Sequence, residues 1–412
     1  MFKRLISLLL IGLAFGAIPV KSEEFSIAAK HAIAVDLDSG KILYEKEANE
    51  AVPVASISKV LTTYLVYKEI ANKKLSWDSP VTISNYPYAL TTNYNISNVP
   101  LDARKYTVKE LLKALIVSNA NSPAIALAEK IGGTEPKFVD KMKKQLKEWG
   151  ISGTKLVNAT GLPNHILGDN RYPNSESEDE NLFSATDLAI ITRHLLLEFP
   201  EVLKLSSQRS TDFAGQTIYS YNYMLKGMPY YRDGVDGLFL GYSDKGGSSF
   251  LATSIENRMR VITVVLNAEQ GQENDLTVFR ATNQLLQYIL THFQKVQLLE
   301  KNKTSRLKAL SVLDSSDKKI NLVPTEHLSL ITSSKSKLNK ALHITKKSDT
   351  LIAPLKKGQV LAKATLQDSH LIGKGYIGNP PSVDLVAEKD VSQDFFLNVW
   401  WNRFVRYVNK YL

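Results

Sequence analysis

Residues 53–66 read Pro53-Val54-Ala55-Ser56-Ile57-Ser58-Lys59-Val60-Leu61-Thr62-Thr63-Tyr64-Leu65-Val66, and the fold turns on how this stretch is read. A loop gives way to a sustained apolar run, which predicts a helix over 57–70 opening at Ser56 with a lysine three residues on. One turn apart, Ser56 and Lys59 share a face. Lys59 can take the hydroxyl proton only if its amine is partly neutral, which burial and the positive end of the helix both promote. The backbone N–H of Ser56 would be free to face an oxyanion. The motif alone says little, because Ser152, Ser305, Ser315, Ser316 and Ser334 also have a lysine three residues later. Met alone, it is a capping serine beside a solvated lysine. Among these serines, Ser56 is singled out by the apolar helical run that follows it.

Working outward, residues 30–45 (HAIAVDLDSGKILYEK) place apolar runs on either side of Asp38-Ser39-Gly40-Lys41, a hairpin signal. Helical patterns cover 108–117 and, after a polar break, PAIALAEKIGG, closed by its two glycines. Residues 238–269 break into short β-rich pieces separated by glycine and polar turns, which read as successive antiparallel strands. A long helix over about 275–293 follows. This mixture predicts an α+β domain with an antiparallel sheet flanked by helices, not a βαβ repeat.

Beyond residue 294 the composition shifts to Lys- and Ser-rich stretches with β segments such as HLSLIT, GQVLAKATL and PSVDLVAE, a small all-β domain over 297–390. The end, DFFLNVWWNRFVRYVNKYL, places Phe396, Leu397, Trp400, Trp401, Phe404, Val405, Tyr407, Val408, Tyr411 and Leu412 on one half of a helical wheel. Asn398, Asn402, Arg403, Arg406, Asn409 and Lys410 fall on the other half, with Phe395 and Val399 as exceptions. An aromatic, cation-backed helix over 392–412 suits a membrane interface better than a span.

At the other end, Lys3 and Arg4 precede an apolar run from Leu5 to Ile18, the pattern of an export signal over 1–22. The formal net charge is +10, and about +7 once Lys3, Arg4 and Lys21 are removed with that signal. With export expected and no concentrated basic stripe, the excess points to anionic lipid or wall polymer, not to nucleic acid. Cysteine is absent and the seven histidines show no ligand spacing, so neither a metal nor another cofactor is expected.

Taken in order, the signal, the hairpin, the Ser-x-x-Lys helix, a polar motif before an Ala-rich helix, a Gly-Leu strand motif, a small β domain and an amphipathic tail resemble the serine D-alanyl-D-alanine carboxypeptidases, the low-molecular-mass penicillin-binding proteins. The likeness spans nearly the whole chain beyond the signal, as domains 23–294 and 297–390 and the tail helix. It leans to the streptococcal type through PAIALAEKIGG, DFAGQTIYSYNYMLKGMPYYR, RVITVVLNAE and FFLNVWWNRFVRYVN. The resemblance implies a penicillin-binding transpeptidase fold and an exported protein at the extracytoplasmic face of the cell membrane. It further implies a peptidoglycan stem peptide as substrate, β-lactams as ligands if acylation occurs, and removal of a terminal D-Ala through an acyl-Ser56 intermediate with Lys59 as base.

Two stretches depart from the family pattern. Its Ser-x-Asn motif carries a proton to the leaving amine and orients the substrate amide; here Asn119-Ala120-Asn121 stands in register, with Ser118 one residue earlier. An amide cannot relay a proton as a hydroxyl does. The family's Lys-Thr-Gly motif attracts the substrate carboxylate from a strand beside the site; here it reads Phe239-Leu240-Gly241, followed by Tyr242. The resemblance makes Phe239, Gly241 and Tyr242 substrate-binding positions, with the N–H of Tyr242 a second oxyanion donor. Asn158-Ala159-Thr160-Gly161-Leu162 and Phe183-Ser184-Ala185-Thr186-Asp187-Leu188 read as scaffold. The altered motifs leave two expectations, an impaired hydrolase and a non-catalytic wall-binding relative on the same fold. A β-lactamase shares the Ser-x-x-Lys chemistry but not the β domain and tail.

Overall fold

The structure, a computed structural model, describes residues 25–268, 276–304, 307–333 and 341–411. The expected signal, 1–22, lies outside them. The hairpin forms as β1 (Ala29–Asp36) and β2 (Ile42–Lys46). Its turn is tied by Asp36, which accepts from both the backbone N and the hydroxyl of Ser39.

The helix expected over 57–70 is observed as a 3₁₀ turn, Ala55–Ser58, running into α1 (Lys59–Ala71). Every residue of α1 from Lys59 to Tyr67 is buried, as befits a helix apolar on all sides. α2 (Val108–Val117) opens on a reciprocal cap between Thr107 and Glu110, and α3 (Asn121–Gly132) ends at Gly133 with φ +81°. α4 (Glu135–Glu148) follows. α5 (Ala185–Glu198) starts from a reciprocal Ser184–Asp187 cap, the scaffold role expected of that segment. The strand-rich stretch is β3 (Val235–Ser243), β4 (Gly247–Glu256) and β5 (Met259–Ala268), then α6 (Thr277–His292).

The five strands make one antiparallel sheet in the order β2-β1-β5-β4-β3. Alternation sends Ile33, Val35, Leu251, Ile262 and Val264 into the core shared with α1 and α5. Ala32, Ala34, Phe250, Ala252 and Val265 face α6 on the other side. The sheet is therefore covered on both faces, and β3 is the outer strand beside the Ser56 turn.

A second, β-rich unit begins with the strand Phe293–Leu299, directly after α6, and has its own apolar cluster around Leu322, Leu361 and Leu385. It clasps the first hairpin. Lys41 Nζ, almost wholly buried, lies 2.6 Å from Asp368 Oδ2 and donates to Ile331 O at 2.6 Å, while Tyr376 O–H donates to Asp368. Ile42 N to Gly375 O and Ile377 N to Gly40 O add backbone bonds.

The tail forms α7 (Phe396–Tyr411). Val399, which the wheel set apart from the apolar half, is the residue of α7 that is buried. Arg403 Nε and Arg406 Nη2 reach Asp314 at 3.1 and 2.7 Å, and the Asp314 carboxylate is fully enclosed. Burial alone would raise the Asp314 pKa, but hydrogen bonds from Arg406 and Arg403 hold it below the usual carboxylate range. Val399 and the Arg403 and Arg406 contacts to Asp314 thus dock the helix, leaving Phe396, Trp400, Trp401, Phe404, Tyr407 and Tyr411 exposed. No described helix is long and apolar enough to cross a membrane.

Candidate active site

Ser56 sits in the 3₁₀ turn, where it has no intrahelical acceptor for its N–H. The preceding Ala55 has φ +46°, a region non-glycine residues seldom occupy, so the turn is held under strain by its surroundings. Those surroundings require glycine at two points. A Cβ on Gly241 would lie 2.6 Å from Val54 O, and one on Gly161 (φ +83°) 1.8 Å from Ala55 O. Strand β3 and the 158–162 loop thereby close on the turn from two sides. The loop is a buried polar knot: Asn158 Oδ1 accepts from the N–H groups of Thr160 and Gly161, and Thr62 Oγ1 donates to Ala159 O.

Lys59 is fully buried and its Nζ lies 2.7 Å from Ser56 Oγ. Burial pushes the amine well below the ordinary lysine value, and Lys59 has no carboxylate partner among the described residues. Burial disfavours the charged form of the amine, the condition under which it can accept the serine proton.

Ser56, Asn119, Asn121 and Tyr242 line one cleft of about 820 Å³. Asn121 Nδ2 donates to Ser97 O at 2.9 Å, which fixes the side chain, while its Oδ1 is buried without a partner among the described residues. Asn119 takes φ +53°, a conformation asparagine tolerates, and its Nδ2 donates to Leu240 O at 2.7 Å. Ser118 does not line the cleft; its hydroxyl donates to Tyr219 O.

The contact with Asn119 shows that the carbonyl of Leu240 points away from β4. Strand alternation then turns the backbone groups of Tyr242 to the same open edge, where its N–H can join that of Ser56.

Phe239 is corrected by the structure: it does not line the cleft. Its side chain is 1 % exposed and packs in the core with Ile57 and Leu61. Leu240 lines the cleft instead. The period of two would have found this, since Leu240 and Tyr242 share a face and Phe239 and Gly241 the opposite one. Tyr221, His165, Asp244 and the 93–97 segment also line the cleft. No motif marks them, because distant loops bring them there.

The sequence matches the family profile described as D-alanyl-D-alanine carboxypeptidase over residues 18–270. This chain belongs to the D-alanyl-D-alanine carboxypeptidase family. A second profile, the C-terminal domain of penicillin-binding protein 5, covers residues 293–393, the β-rich unit. Among curated relatives, D-alanyl-D-alanine carboxypeptidase DacF of Bacillus subtilis is 28 % identical over 380 residues, 89 % of this chain and 90 % of that protein. A solved structure of a peptidoglycan synthesis regulatory factor (PBP3) from Streptococcus pneumoniae superposes with TM-score 0.84 at 46 % identity, covering 89 % of this chain and all of that one. Penicillin-binding protein D2 from Listeria monocytogenes, in its ampicillin-bound form, superposes with TM-score 0.53 at 26 % identity over 64 % of this chain and 98 % of that one. Membership makes this an exported, serine-type carboxypeptidase relative concerned with peptidoglycan. The penicillin-binding fold, the β-rich second domain and the C-terminal helix agree with the reading from sequence.

Proposed function

We propose that this protein transfers the acyl part of a D-alanyl stem peptide to Ser56 and then to water, releasing the terminal residue, with turnover weakened by its altered motifs. The observation that carries this reading is the buried Lys59 amine, 2.7 Å from the Ser56 hydroxyl and without a carboxylate partner among the described residues. Lys59 takes the proton as Ser56 Oγ attacks the carbonyl. The N–H groups of Ser56 and Tyr242 receive the oxyanion, and Asn121 positions the substrate amide. Asn119 has no hydroxyl to pass a proton to the leaving amine, so that task falls back on Lys59.

Leu240 supplies no hydrogen bond to a substrate carboxylate. A charge-assisted bond contributes about 1.5 to 3 kcal/mol, so its loss lowers the specificity constant about ten- to more than a hundredfold. A β-lactam would acylate the same serine, as the ampicillin-bound Listeria relative suggests. The exposed aromatic face of α7 supports peripheral attachment to the extracytoplasmic face of the cell membrane through 392–412.

A second reading, a non-catalytic wall-binding protein, is favoured by Leu240 and Asn119 standing where a hydroxyl would do chemistry. Intact-mass measurement separates the two. Mature protein is incubated with a β-lactam, a stem pentapeptide and the pentapeptide C-terminal amide, with Ser56→Ala as control. An adduct present in the parent and missing from Ser56→Ala is expected; no adduct with any of the three would leave only the binding role.

A further inference from the structure

Among the described residues, the cleft holds no fixed counter-ion for a carboxylate. Among the described residues that line it there is no lysine or arginine, and its one carboxylate is Asp244. Lys59 is fully buried with its Nζ held 2.7 Å from Ser56 Oγ, and burial disfavours its charged form. Lys245, next to Asp244, is engaged elsewhere: its Nζ donates to Glu178 O at 2.5 Å and lies 3.4 Å from the Glu178 carboxylate. Leu240 presents methyl groups, Asn93, Asn95, Asn119 and Asn121 present amides, and His165 is exposed at the rim. A free carboxylate entering this space would lose water, find no fixed cation and meet the like charge of Asp244. A carboxamide or plain amide would meet neutral donors and acceptors.

We propose that the cleft selects acyl-D-alanyl peptides whose leaving amine carries no free carboxylate: a D-alanine capped as its carboxamide, or the side-chain amine of a neighbouring peptide strand. This rests on acylation at Ser56 as proposed above. The Oγ–C bond forms as Lys59 takes the hydroxyl proton; the C–N bond breaks and the amine leaves with that proton. Water then cleaves the ester, returning the hydroxyl to Ser56 and releasing the acyl group as an acid. The preference arises on the leaving side, so it acts on the acylation step.

The test compares Nα,Nε-diacetyl-L-Lys-D-Ala-D-Ala with its C-terminal carboxamide on the mature protein, following the common product diacetyl-Lys-D-Ala by chromatography and the acyl-enzyme by mass. The carboxamide is expected to show a kcat/KM at least about tenfold higher. Asp244→Asn, an exposed site, narrows that ratio, and Leu240→Arg raises use of the free acid enough to reverse it. Preference for the free acid in the parent, or a ratio unmoved by both substitutions, overturns the proposal while leaving acylation standing. Failure of both peptides to acylate the parent removes acylation and the proposal together.

Discussion

Glu135→Gln should change how stability depends on pH. Glu135 opens α4, is 3 % exposed, and accepts from Ala159 N at 2.8 Å and from Tyr86 O–H at 2.9 Å. Burial lifts its pKa from 4.5 to about 7; the two hydrogen bonds oppose the rise and nearby Glu129 adds to it. Because the folded-state value lies above the unfolded one, the native protein binds the extra proton between pH 4.5 and 7. Stability from this group is therefore present at low pH and lost as pH rises through that window. Each tenfold change in acid dissociation is worth about 1.4 kcal/mol, so the loss reaches about 3 kcal/mol above pH 7. Glutamine keeps an acceptor for Ala159 and titrates nowhere in this range. Chemical denaturation from pH 4.5 to 8 should show the variant gaining about 3 kcal/mol on the parent between those limits. A difference constant with pH would refute the reasoning.

Gly241→Ala drives a methyl group to 2.6 Å from Val54 O, so the Ser56 turn must shift. Rates of Ser56 acylation should fall at least about tenfold while the melting temperature drops by only a few degrees, as overpacking costs about 1 to 3 kcal/mol. Asp368→Ala leaves the Lys41 ammonium buried without its carboxylate. Removing one partner of such a pair costs about 3 to 5 kcal/mol, visible as earlier unfolding in calorimetry; an unchanged transition would show that the clasp contributes nothing. Deleting residues 392–412 should abolish sedimentation with lipid vesicles, and retention on vesicles would defeat the interfacial role of α7.

Most of the fold could be read from local pattern, because the hairpin, α2, α6 and the three long strands follow hydrophobic periods of 2 or 3.6 with glycines or caps at their ends. The Ser56–Lys59 pair was legible because helical geometry alone puts positions three apart together. What escaped was set at a distance. The 3₁₀ geometry at Ala55–Ser58 depends on β3 and the 158–162 loop pressing from either side. The exchange of Phe239 for Leu240 at the cleft wall needed the strand period applied one residue more strictly. The left-handed backbone of Asn119 and its bond to Leu240 join segments 121 residues apart. Val399 is inward because Asp314, far upstream, captures the arginines on its side of the helix.

That capture decides what kind of adhesion α7 can offer. Arg403 and Arg406 share one enclosed carboxylate, which offsets one of their two charges, and Lys410 is the third cation of the helix. Attachment would then come mainly from indole and phenyl groups sinking among acyl chains, a force that mobile ions do not screen. Washing with concentrated sodium chloride should leave the protein on zwitterionic bilayers, whereas mild detergent should lift it off.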